Sequence, residues 1–149
     1  MDTVRHRRNG ISAPRAIGLA LVPVLLIGLV ALTTRNLTAQ ASLYIKGTAQ
    51  NKWDPPTSTV GVGDTITWTV TGGSHSLRFT TASTCKAAQE SMDFNKPLKD
   101  EGDKGCRTDP PTRSGEIVTA TVKKALTGNL AFVCGVHPTI MKGTLKPKP

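Results

Sequence analysis

Residues 130–145, LAFVCGVHPTIMKGTL, decide how this chain is read. The flanks, LAFVC and KGTL, have the short, β-prone composition of strands, and the Gly and Pro between them mark a turn. The tight loop so formed carries Cys134, His137 and Met141 in a C-x2-H-x3-M spacing. Two residues between Cys134 and His137 let one turn aim both side chains at a single point. Met141 follows where the loop bends back into a strand.

The rest of the chain shares the strand character. Residues 42–47 (SLYIKG) suit a first strand, and residues 59–70 (TVGVGDTITWTV) alternate strongly around a Gly63-Asp64 turn. Gly72-Gly73 breaks that run before His75, and residues 76–80 (SLRFT) resume it. Residues 117–122, 128–134 and 143–146 complete a count of six to eight short strands. That number suits an all-β fold of two packed sheets. Trp68, Phe79 and Phe132 fall on strands and read as core. Residues 81–114 are polar and weakly periodic, with one helical piece at 85–93, and the C-terminal PKP is expected to fray.

A thiolate, two imidazoles and a thioether form the donor set of a blue-copper site: trigonal His2Cys with a weak, long axial Met. Here those donors are His75, Cys134, His137 and Met141. Soft sulfur suits Cu(I), and imidazole suits either oxidation state. Taken singly, each residue has an ordinary reading: a hydrogen-bonded loop histidine, a small buried thiol, a core methionine. Their common placement at strand ends favours one mononuclear copper ion.

The N-terminal part has a different logic. Residues 1–16 hold Arg5, Arg7, Arg8 and Arg15, residues 17–32 (IGLALVPVLLIGLVAL) have no charge, and Ala39-Gln40-Ala41 offers a small-x-small cleavage site. That is the order of an export signal. Sixteen apolar residues make a helix of roughly 24 Å against a hydrocarbon core of about 30 Å. Residues 1–41 are therefore either a cleaved signal peptide or an N-terminal membrane anchor. Both place residues 42–149 outside the cytoplasm, on the periplasmic or extracellular side. His6 lies in this segment and is no ligand candidate.

With Cys134 in the metal motif, Cys85 and Cys106 remain to form a disulfide, which an exported chain permits. It would staple a polar segment unable to order itself by burial. Outside residues 1–41 there are 14 Lys and Arg against nine Asp and Glu, a net +5. The lysines are scattered and not interleaved with aromatics, which excludes a nucleic-acid-binding signature. An acidic partner surface suits the charge better. No acid–base pair, nucleophile triad or phosphate-binding glycine loop is present, and three histidines in all are too few for a second copper set, so an enzyme is not expected.

Through GVGDTITWTV…GGSHSLRF and LAFVCGVHPTIMKGTL, the chain resembles the plastocyanin, pseudoazurin and amicyanin group of blue copper proteins, the cupredoxins. The resemblance implies a Greek-key β-sandwich, with copper at one end and the 85–106 segment as a disulfide-stapled insertion. It implies that His137 is partly exposed and serves as the electron port, docking partners through Val136, His137, Pro138 and Ile140. The expected role is a monomeric one-electron carrier between redox proteins. Copper storage or delivery is the alternative, though the chain lacks the Met- or His-rich clusters suited to it.

Overall fold

Alternation of side chains builds two mixed sheets in the computed structural model, which describes residues 39–149. The arginine-rich start and the apolar run 17–32, expected to be a signal or anchor, lie outside the described residues. Among the described residues no helix is long and apolar enough to cross a membrane.

The first sheet contains β1 (Ser42–Gly47), β2 (Trp53–Asp54), β4 (Thr65–Val70), β6 (Met92–Phe94) and β9 (Gly115–Val122), in the order β2-β1-β4-β9-β6. β4 shows why it forms: Ile66, Trp68 and Val70 point inward, while the threonines between them face out. Thr67 Oγ1 meets Thr119 Oγ1 across the β4–β9 ladder at 3.0 Å. The second sheet contains β3 (Thr57–Val60), β5 (Leu77–Phe79), β7 (Lys99–Asp100), β8 (Cys106–Arg107), β10 (Leu130–Cys134) and β11 (Lys142–Pro147), in the order β3-β11-β10-β5-β8-β7. The sheets face each other across one core. Trp68 from the first meets Phe132 from the second edge-on, with ring centroids 5.7 Å apart. The sandwich and the core roles of Trp68, Phe79 and Phe132 are as expected. Among the described residues six strands have four or more residues, and five more have two or three.

The turn expected at Gly63-Asp64 is present, and the chain changes sheets through it: β3 ends in the second sheet, and β4 begins in the first. Gly63, at φ +91°, makes the crossing. Asp64 pins it, accepting the N–H of Ala41 at 2.9 Å and of Gly61 at 2.8 Å and pairing with Lys148 Nζ at 2.7 Å. Burial pulls the Asp64 carboxyl upward, but these donors outweigh it and hold it below the usual carboxylate range. The same contact corrects the tail, which does not fray: Pro147 ends β11, and Lys148 also donates its N–H to Val60.

A second correction concerns the insertion. Its helix, α1, runs Ala82–Ser91, starting earlier than the expected 85–93 because Thr81 caps it reciprocally with Thr84. The short β6, β7 and β8 carry too few residues to show alternation. The Cys85–Cys106 disulfide is present, with Cα atoms 5.5 Å apart, and Glu101 holds Arg78 at 2.8 Å and Arg107 at 3.1 Å beside it.

Candidate metal centre

β1 and β4 run parallel, with Ser42 opposite Thr65 and Gly47 opposite Val70. At the Gly47–Val70 end, His75 lies between β4 and β5, β10 stops at Cys134, and β11 starts just after Met141. This end of the sandwich gathers the four residues singled out in the sequence.

The loop is shaped by its own backbone. Met141 N–H donates to the His137 carbonyl at 3.0 Å, and Cys134 N–H donates to the Met141 carbonyl at 2.9 Å. Gly135 N–H reaches the Ser76 carbonyl at 3.0 Å, tying the loop to the residue after His75. A side chain at Gly135 would strike Ser76 Oγ, at 2.5 Å. His75 is in turn fixed by paired backbone bonds with Thr112, at 2.9 and 2.8 Å, so the insertion's return segment braces it.

His75 Nδ1 lies 3.5 Å from Cys134 Sγ, and His137 Nδ1 lies 3.7 Å from it. One donor atom from each of the three residues falls within 4.8 Å of the others. The imidazoles are nearly edge-on, with centroids 5.4 Å apart. Val136 N–H points at the sulfur from 3.4 Å, a contact suited to a thiolate. His75, Cys134 and Met141 are wholly buried, whereas His137 is half-buried between exposed Val136 and Pro138. Among the described residues no carboxylate or second thiol joins the cluster.

The tautomer of His75 follows from its other nitrogen. Nε2 faces two carbonyl oxygens, Gly72 at 2.8 Å and Thr48 at 3.0 Å. Carbonyls only accept, so Nε2 carries the proton and Nδ1 presents a lone pair toward Cys134. These backbone partners have no side-chain signature and were missed in the sequence. So was Trp53, whose ring lies 6.1 Å from that of His75 and 5.7 Å from that of Phe132.

The set fits copper on donor chemistry. Two imidazole nitrogens and a thiol sulfur within 4.8 Å of one another suit copper or zinc, and the buried thioether of Met141 at the same end of the sandwich is a soft donor that favours copper.

No protein-family model and no curated protein matches this chain. Solved structures of amicyanin do. A Cu(I) form of one amicyanin variant is 19% identical, covering 72% of this chain and 82% of that chain at a TM-score of 0.48. An oxidized form of another is 20% identical, covering 72% and 83% at a TM-score of 0.48. A third, also oxidized, is 19% identical, covering 76% and 88% at the same TM-score. The assignment of the site rests on its geometry and not on this likeness.

Proposed function

We propose that this protein is a one-electron carrier with a single copper ion held by His75, Cys134, His137 and Met141, working outside the cytoplasm. The convergence of two oriented imidazoles on a buried thiol carries this reading. The bound ion supplies the Cu(I)/Cu(II) couple. The chain supplies a donor set held by backbone hydrogen bonds of the loop and of His75, which keeps rearrangement small when the charge changes. Burial of three of the four ligands keeps water out, and it opposes the easy exchange that storage or delivery needs. Titrating the metal-free protein with Cu(II) tests the reading. An intense blue absorption from thiolate charge transfer is expected at one copper per chain, and a colourless copper complex overturns it.

Met141 tunes the couple in this reading. A weak thioether favours Cu(I) over a harder amide oxygen, so Met141→Gln keeps copper and lowers the reduction potential. Voltammetry checks this, and an unchanged potential makes Met141 a core residue only.

His137 is the port. It is the one half-buried ligand, and Val136 at 41% and Ile140 at 65% exposure give it an apolar rim. A groove of about 570 Å³, walled by Ile140, Trp53, Lys52, Asp54 and Lys142, continues that rim, and its two lysines outnumber its one carboxylate, which suits an acidic redox partner. Ile140→Asp is expected to slow exchange with such a partner in stopped flow while leaving the copper spectrum unchanged. A wild-type rate means that electrons enter elsewhere.

A further inference from the structure

We infer that Gly47 is a positioning residue for the metal site: its bare Cα forms one wall of a slot that fixes the His75 ring and seats Met141. Calling it a metal-site residue rests on the copper reading above. Gly47 ends β1 in a buried position, where any apolar residue would otherwise serve the core. Its φ is not in the left-handed region, so the backbone does not demand glycine. Space does. A Cβ at 47 would stand 2.7 Å from His75 Cδ2, 3.1 Å from His75 Cγ and 3.2 Å from Met141 Cε. Glycine inside a strand costs stability and marks a close approach by another group. Here two candidate ligands make that approach to one atom.

The two neighbours differ in how they can yield. Met141 has three side-chain torsions, and its methyl can swing away from a 3.2 Å contact at little cost. The imidazole has nowhere to go. Its Nε2–H is held by the Gly72 and Thr48 carbonyls. Beyond Nε2 stands Gly73, at φ +87°, where even a Cβ would come within 3.0 Å of the nitrogen. Trp53 and His137 flank the ring. Pushing the ring off Gly47 must therefore lengthen a hydrogen bond from Nε2–H to a carbonyl and turn Nδ1 away from Cys134. One methyl group at 47 thus acts on the lone pair aimed at the metal, through a residue that touches no metal itself.

Gly47→Ala is expected to weaken Cu(I) binding about tenfold or more, the usual effect of disturbing a ligand's hydrogen-bonded support. Gly128→Ala is the control, since a Cβ there meets nothing within 4 Å. Affinities come from chelator competition. NMR of the two metal-free proteins reads the ring directly: wild type shows a persistent His75 Nε2–H and contacts from the ring Cδ2–H to the Gly47 α-protons, and Gly47→Ala shifts or loses them. Wild-type affinity and unmoved His75 resonances in Gly47→Ala overturn the inference, as does an equal loss in Gly128→Ala. If Gly47→Ala does not fold, the wild-type spectrum still decides, because a His75 ring without a protected Nε2–H or without those contacts leaves no slot. Failure of wild type to bind copper defeats the copper reading instead, and the metal-free spectra continue to test the slot.

Discussion

Cys134→Ser protein is expected to lose the blue absorption completely. A serine hydroxyl does not ionise near neutrality and has no low-energy charge transfer to copper, so the colour depends on this one sulfur. The fold should survive the change. Cys134 N–H remains bonded to the Met141 carbonyl, and the new hydroxyl can donate to His75 Nδ1, which now sits 3.5 Å from the sulfur. Cooperative unfolding of the metal-free variant checks that point, and visible spectroscopy checks the ligand. A Cys134→Ser protein that stays blue means the metal is held elsewhere.

The second large effect concerns stability. Replacing Cys85 and Cys106 together by serine removes a cross-link spanning 21 residues. In the chain-entropy model this costs about 3 kcal/mol, and for a domain near 100 residues that lowers Tm by more than about 10 °C. Cys106 pairs with Phe79 on β5, so the staple fastens α1 to the strand that follows His75. Calorimetry of the metal-free protein measures the loss. An unchanged Tm means that the Glu101 pairs with Arg78 and Arg107 order the insertion alone. The copper spectrum at low temperature is expected to remain, since the bridge touches no candidate ligand.

Much of the site was legible because side-chain chemistry at fixed spacing is a local signal. Cys134, His137 and Met141 occupy one loop, and His75 stands out where a strand is broken by two glycines. What escaped was written in the backbone. The Thr48 and Gly72 carbonyls that orient His75 could belong to any residue, and Gly47 looked like the plain end of a strand. In the fold, alternation located the long strands. It could not show that the chain changes sheets between Val60 and Thr65, because alternation continues through the crossing. The two- and three-residue strands of the insertion exist through pairing with distant partners, as Met92 does with Val122, and pairing of that kind leaves no periodic mark.

The parallel run of β1 beside β4 has a directional consequence. β1 begins beside the Asp64 turn and ends five residues later at Gly47, against His75. At about 3.3 Å per residue, those ends are some 17 Å apart. Asp64 grips the Ala41 N–H, so β1 is moored at the end opposite the one that adjoins His75. A pull on Ala41 is therefore taken up by the Asp64 carboxylate and the β1–β4 ladder before it reaches the slot that holds His75.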